Sequence, residues 1–320
     1  MRDYERRSMC ITVIGSIHVD FYIKVDRFPV IGETLFGKGF QIFPGGKGAN
    51  QAVGCSKLGE KTYIVGRIGK DFSEYLLNNF RNSNVDTKYL KIDDEHNTGV
   101  AFIILNVNTG ENMILIDPGA DYWITENDVN DALNAIIDSK IILLQLEIPI
   151  EINIYASMLA ASKGKKVILN PAPVSTLPKE IFKYIEVITP NRVEASQLTG
   201  VDITDIPTAV KAGKKLVEEG VKYAIITLGS SGSLMVSLEK AIYYPPFKVN
   251  VADTTGAGDA FNAGLAVALS RGYPIEEAVI WANASAAVKI TKIGAQTGLP
   301  SRYEVEGLIR RSADYQPKII

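Results

Sequence analysis

Apolar runs of strand length recur along this chain between stretches of helical period, and that alternation limits the fold more than any other feature. "CITVIGS", "TYIVGRIG", "KIILLQL", "KVILNP", "EVIT" and "YAIITL" are continuous rather than alternating, as strands buried on both faces are. Between them lie amphipathic stretches such as "DVNDALNAIIDS", "EINIYASMLAAS" and "IPTAVKAGKKLVEEG", the last stopping at Gly220. Repeated strand–helix alternation predicts an α/β fold, a mostly parallel central sheet with helices on both faces. The segments after Asp259 are mainly helical in pattern.

Two regions break the rhythm. Residues 17–43 and 97–119 carry alternating or β-branched residues with glycine turns and offer no helix. In the second, "NTGE" sits between two apolar runs, a hairpin signal. The two regions read either as one small sheet, discontinuous in sequence, or as two surface hairpins.

Bulk composition removes several function classes. The 320 residues suit one large domain, alone or with a small appendage. With 34 Lys and Arg against 36 Asp and Glu, the net charge is -2 and no basic block suggests a nucleic-acid partner. Cys10 and Cys55 make no disulfide framework and are expected to be reduced. His18 and His96 lie far apart and give no zinc spacing, and no G-x-S-x-G elbow occurs. The charged start "MRDYERRSMC" precedes an apolar run of strand length only, and no stretch is long enough to span a bilayer. The expectation is a soluble cytoplasmic protein with no membrane partner.

Four segments carry possible chemistry. "DTTGAGDAFNAG", residues 253–264, runs from a loop of small residues into a helical pattern through Phe261, Gly264, Leu265, Ala268 and Leu269, so a helix should start near Gly256. Its first turn holds Asp259, which serves either to balance the helix dipole or as a base beside an anion held by backbone N–H groups. The dipole contribution is only about 0.3–1 kcal/mol, too little to demand an aspartate. "PGGKGANQA", residues 44–52, offers glycines with Lys47 and Asn50 as donors; it is neither a Walker A loop nor a Rossmann fingerprint, and the alternative reading is tight helix packing. In "TPNRVEA", Asn191 and Glu194 share one side of a first helical turn, suited to a hydrated Mg²⁺ or simply to a capping pair. "TLGSSGS" covers a nucleotide or closes a hairpin.

Taken in chain order, the four segments resemble the PfkB carbohydrate kinase family and its ribokinase group in particular, and the likeness runs from "GSIHVD" to "TKIGAQTGLP". "LQLEIP" and "NPAP" fall at the expected places between them. The resemblance implies a ribokinase-like fold: a large α/β domain over residues 10–16, 44–96 and 120–312, and a β-sheet lid over 17–43 and 97–119. It implies ATP-dependent phosphorylation of the 5-hydroxyl of ribose or a related pentose, and a homodimer through the lid. Asp259 would be the catalytic base, and the N–H groups of Gly256, Ala257 and Gly258 the anion hole. The sugar would lie among His18, Asp20, Gly46, Lys47, Gly48, Ala49, Asn50 and Glu147. Asn191 and Glu194 would serve the phosphates and Mg²⁺; Thr227, Leu228, Gly229, Ser230, Ser231, Gly232 and Asn283 would bind ATP. A monovalent cation, K⁺, would be held by the Asp253 carboxylate and the backbone carbonyls of Thr255, Lys289, Lys292 and Gly294.

One position departs from the family pattern. Where the family usually has Asn two residues before the sugar-binding Asp, this chain has His18, which bears on sugar choice. The alternatives are a 2-deoxyribose or nucleoside kinase of the same fold, or a non-catalytic sugar-binding regulator. A glycosidase using Asp253 and Asp259 gives the intervening glycine loop no role.

Overall fold

The continuous apolar runs become the middle of one large sheet, because only a strand covered on both sides can bury every residue it carries. The computed structural model describes residues 10–320. Its strands are β1 (Cys10–Ile14), β2 (His18–Val25), β3 (Lys38–Gly45), β4 (Lys61–Gly69), β5 (Val85–Asp93), β6 (Gly99–Asn106), β7 (Asn112–Asp117), β8 (Ser139–Gln145), β9 (Lys166–Asn170), β10 (Val187–Ile188), β11 (Tyr223–Thr227), β12 (Ser233–Val236), β13 (Ala241–Tyr244) and β14 (Lys318–Ile319). Its helices are α1 (Lys47–Lys57), α2 (Ser73–Asn82), α3 (Glu126–Asp131), α4 (Leu133–Asp138), α5 (Ile150–Ser162), α6 (Arg192–Thr199), α7 (Ile206–Glu218), α8 (Ala257–Ser270), α9 (Ile275–Lys289) and α10 (Arg302–Arg311).

The large sheet has ten strands in the order β14-β13-β12-β11-β10-β9-β8-β1-β4-β5. From β11 to β5 every neighbouring pair is parallel. Period-two alternation then divides the core between the two faces. Ile141 and Leu143 pack with α1, α8 and α9, while Ile142 and Leu144 pack with α4, α5 and α7. One edge departs from the βα rhythm: β12, β13 and β14 add antiparallel. The turn "TLGSSGS" closes the β11–β12 hairpin that begins this edge, with Leu228 N donating to Gly232 O at 2.8 Å. The stretch "DVNDALNAIIDS" is broken at Ala132 into α3 and α4 rather than forming one helix.

Residues of the two irregular regions form a second sheet of four strands in the order β3-β2-β6-β7. β2 and β6 pair parallel from His18 with Gly99 to Val25 with Asn106, so these are not two separate hairpins. The outer pairs are antiparallel, and β6–β7 is the hairpin signalled by "NTGE". Phe40, Phe102, Ile114 and Leu115 are exposed on this sheet.

Candidate active site

Two helix starts meet at the ends of β8 and β9, in the middle of the large sheet. Helix α8 begins at Ala257, with Gly256 before it at φ 75°, a left-handed conformation that favours glycine. Asp259, in its first turn, is buried. Helix α1 presents two amides to it: Asn50 Nδ2 donates to Asp259 Oδ2 at 2.9 Å, and Gln51 Nε2 donates to Oδ1 at 3.1 Å. Gln51 is held in turn by Gln145, whose Nε2 donates to Gln51 Oε1 at 2.7 Å, and Gln51 Nε2 also reaches Asn170 Oδ1. Both carboxylate oxygens are therefore fixed by a buried network rather than by solvent. Burial raises the Asp259 carboxyl above its ordinary value, against the opposing Lys47 charge and the two amide bonds.

Beside Asp259 lies an open cavity of about 210 Å³, lined by Lys47, Asn191, Glu194, Thr227, Gly256, Ala257, Gly258 and Asp259 among others. At Gly258 an added Cβ would meet nothing of the described residues within 4 Å, so no packing among them demands a glycine there. The Gly258 carbonyl accepts from Asn262 Nδ2 at 2.9 Å, and Asn262 accepts from Thr189 Oγ1 at 2.7 Å, which anchors this turn. Ala257 N donates to Thr254 O at 3.1 Å, so that N–H already has an acceptor. Lys47 stands among carboxylates: burial lowers its ammonium, but the charges of Asp259, Glu147, Glu194 and Asp20 prevail and raise it.

Around the other side of Lys47 the backbone of residues 15–18 presses on the start of α1. Gly46 has φ 87°, and an added Cβ would sit 2.7 Å from both His18 N and Ser16 O. At Gly48 it would sit 2.6 Å from the Gly15 carbonyl carbon. The packing reading of these glycines is thus what the structure shows. Ala49 is buried on the same turn. The Glu147 carboxylate accepts from Ser16 Oγ and from Lys47 N, the latter at 3.0 Å, which clamps the end of β8 to this turn.

His18 reaches a residue that the motifs do not include. Its Nε2 lies 2.9 Å from Asp121 Oδ2, with both side chains essentially sealed from solvent. Asp121 Oδ1 accepts from Ile17 N at 2.9 Å. Burial pushes the imidazole down, yet contact with Asp121 and the charges of Asp121, Glu147 and Asp20 outweigh it and raise His18 to about 9. Asp121 rises to about 6 through burial, against the His18 charge, and Asp20 to about 6 for the same first reason. The imidazolium is therefore part of the site's charge balance at neutral pH. Asp20 packs on bare Gly45, where an added Cβ would fall 2.1 Å from its Oδ1.

Asn191 and Glu194 form a capping box: Glu194 N donates to Asn191 Oδ1 at 2.9 Å, and Asn191 N to Glu194 Oε2 at 2.8 Å. Both still line the cavity, and burial raises the Glu194 carboxyl, opposed by the Asn191 backbone bond and Lys47. Among the described residues no three His, Cys, Asp or Glu side chains cluster as a metal cage. One carboxylate and one amide at a cavity wall fit a hydrated Mg²⁺ carried by a nucleotide, since Mg²⁺ usually keeps several waters. Of the residues expected at ATP, Thr227 lines the cavity, whereas Leu228, Gly229, Ser230, Ser231 and Gly232 form the neighbouring hairpin turn. Asn283 is turned away, its Nδ2 donating to Ser233 Oγ at 2.8 Å and Val279 O at 2.9 Å.

The expected K⁺ site corrects the reading of one residue. Asp253 forms an Asx-turn with Thr255 N at 2.9 Å, and its Oδ2 accepts from Gly294 N at 2.7 Å. The backbone carbonyls of Asp253 and Lys292, however, accept from the Lys289 ammonium at 2.9 and 3.3 Å. The Asp253 carboxylate lies 3.6 Å from the same ammonium, and Lys289 is 0% exposed. Lys289 thus contributes its side chain, a cation, where a carbonyl ligand was expected. These residues do not fit an added K⁺.

Comparison with known proteins agrees with this geometry. The pfkB family carbohydrate kinase pattern matches residues 10–302. The ribokinase of Haemophilus influenzae is 39% identical over 295 residues, covering 92% of this chain and 96% of its own. The deoxyribokinase of Salmonella typhi is 34% identical, with the same shares covered. The Arabidopsis thaliana ribokinase, solved in complex with ribose and ATP, superposes with a TM-score of 0.87 at 33% identity, over 95% of this chain and 99% of that one. A family pattern spanning most of the chain, with relatives matched nearly end to end, means that the chain belongs to the pfkB family of carbohydrate kinases.

Proposed function

We propose that this protein is an ATP-dependent sugar kinase that phosphorylates the 5-hydroxyl of D-ribose, giving ribose 5-phosphate and ADP. The observation that carries the reading is Asp259, a buried carboxylate fixed at both oxygens and opening onto a cavity floored by a helix start. The names of the relatives support ribose and ATP as the substrates.

In this mechanism Asp259 accepts the proton of the attacking hydroxyl. Its raised carboxyl makes it a stronger acceptor than a solvated aspartate. The N–H groups of Gly256 and Gly258 hold the transferring phosphoryl, and Ala257 joins them by releasing Thr254 O. Lys47, already surrounded by carboxylates, stands where it meets phosphate charge. Asn191 and Glu194, at the cavity wall, would hold a Mg²⁺ brought by the nucleotide, and that ion would offset phosphate charge. His18, Asp20, Glu147 and the 46–50 turn hold the sugar. The turn 227–232 borders the nucleotide, and Asn283 supports it through Ser233.

The 17–43 and 97–119 regions serve as a lid that closes over the sugar and excludes water, which guards against ATP hydrolysis. The remaining residues, 10–16, 44–96 and 120–312, form the domain on which it closes. Phe40, Phe102 and Leu115, exposed on one face of the small sheet, support a homodimer through that face. No described helix is long and apolar enough to cross a membrane, and two cysteines free of disulfides suit a cytoplasmic setting.

His18 favours a second reading, preference for 2-deoxyribose, in the company of a deoxyribokinase relative. One assay tests both: ADP release from Mg·ATP with ribose, 2-deoxyribose, fructose and adenosine. Turnover highest with ribose is expected. Preference for 2-deoxyribose would move the substrate while keeping the chemistry, because a site built around a hydroxyl discriminates strongly against its absence. No turnover with any of them would defeat the kinase reading.

A further inference from the structure

A lysine ammonium sealed from solvent must find oxygen partners, or it would be neutral or absent. Lys289 is the last residue of α9, where unpaired carbonyls and the helix dipole favour a cation. Its Nζ donates to Asp253 O at 2.9 Å and Lys292 O at 3.3 Å, and lies 3.6 Å from Asp253 Oδ2. Gly298 leaves room for it: an added Cβ there would fall 3.1 Å from Lys289 Cε, 3.2 Å from Lys292 O and 2.7 Å from Gly294 O. The ammonium therefore reaches two of the groups among which the family resemblance places a monovalent cation, the Lys292 carbonyl and the Asp253 carboxylate, and adds the Asp253 carbonyl. Asp253 leads into the loop that ends at Gly256 and starts α8, so whatever fixes Asp253 also fixes the backbone donors beside Asp259.

We infer that Lys289 is a built-in cation: its ammonium replaces bound K⁺ in ordering the 253–258 loop, and the reaction needs no added monovalent cation. Lys289 acts through the loop and touches no substrate, so it is a positioning residue. The charge it supplies is covalently tethered, and the loop is ordered at any salt composition.

The inference rests on the kinase reading, and the test separates the two. ADP release from Mg·ATP and ribose is compared in KCl and in tetramethylammonium chloride at equal ionic strength, for the natural protein, Lys289→Ala and Lys289→Met. Thermal unfolding is followed in the same two salts without substrates. The natural protein should differ between salts by no more than about twofold in turnover, and its Tm should not move, since no free cation is recruited. Lys289→Ala should fall on the order of tenfold or more in tetramethylammonium and recover in KCl, with a Tm that KCl raises. Lys289→Met, which keeps the bulk and loses the charge, should stay low in both. K⁺ activation of the natural protein by about tenfold overturns the inference, as does a Lys289→Ala indifferent to salt with full turnover. If no sugar supports turnover of the natural protein, the kinase reading fails; a KCl-dependent Tm in Lys289→Ala against an unchanged one in the natural protein still supports the replaced cation, and the opposite pattern overturns it. Should Lys289→Ala not fold, the natural protein's response to KCl decides.

Discussion

Two glycine-rich turns, "PGGKGAN" before α1 and "TTGAGDA" before α8, look alike in sequence and do different work in the fold. In the first, side chains are excluded by the protein itself. A Cβ on Gly45 would strike Asp20, one on Gly46 the backbone of residues 16–18, and one on Gly48 the backbone of Gly15 and Ser16. In the second, Gly258 faces open space, and a Cβ there would meet nothing. The same residue type thus marks close packing in one turn and room left for something else in the other. The packed turn carries Asn50 and Gln51 at fixed positions, and the open turn carries the carboxylate that they hold.

The largest expected effect breaks the link between the turns. Asp259→Asn keeps the shape of the open turn and removes the proton acceptor, so kcat should drop on the order of a thousandfold with the fold intact. Steady-state ADP release and a far-UV spectrum check it, and near-normal turnover would end Asp259's role as the base. Next is the packed turn. Gly46→Ala places a side chain at φ 87° and against His18 N and Ser16 O, and should cost on the order of 3 kcal/mol in denaturant unfolding. A loss under about 0.5 kcal/mol would show that the turn yields easily and that the packing account is wrong.

How much of this was legible without coordinates follows the range of the interactions. The βα alternation is a local pattern, and it delivered the parallel strands, the start of α8 at Gly256 and the capping pair Asn191–Glu194. Of the antiparallel edge only the hairpin at "TLGSSGS" was legible, as one of two readings; the rest was not, because "SLMV" and "AIYY" look like any short buried strand and only their neighbours set direction. The four-stranded sheet was visible as a break in rhythm, but not its β2–β6 pairing across some eighty residues. At the site, Gln51, Asp121 and the side chain of Lys289, a residue expected to act only through its carbonyl, escaped notice as actors since their partners lie far along the chain. A faint signal existed for two of them. Gln51 is a polar residue followed by Ala52 and Val53 on a small-residue helix, and Lys289 ends the otherwise uncharged run "IWANASAAV". A polar group in a run that should be buried needs a partner, and asking for that partner would have singled out both residues.

The packed turn also has a charged backing, which predicts a pH effect of intermediate size. His18 rises from 6.5 to about 9 on folding, so the folded state binds the proton more tightly than the unfolded chain. That contribution is fully present below pH 6.5 and is lost as the pH climbs through about 9. Unfolding free energy should therefore fall on the order of 3 kcal/mol across that window. Urea titrations at a series of pH values measure it, and a flat or rising profile would contradict the protonated pair. His18→Asn combined with Asp121→Asn removes both buried charges together and should flatten the slope, whereas either change alone leaves one charge without its partner.

The smallest effect sharpens the comparison most, because it asks whether Gly258 is bare for the protein's sake or for a ligand's. Gly258→Ala adds a methyl group to open space in the first turn of α8, where alanine is a better helix former than glycine. Stability should hold or rise by about 0.5 kcal/mol, the opposite sign to Gly46→Ala. The methyl group would nonetheless project toward the place where the phosphoryl is proposed to lie, so kcat should fall on the order of tenfold. An unchanged kcat would mean that the phosphoryl is held elsewhere than against Gly258. Lost stability would mean that the open turn is packed as tightly as the first, and the contrast between the two turns would be gone.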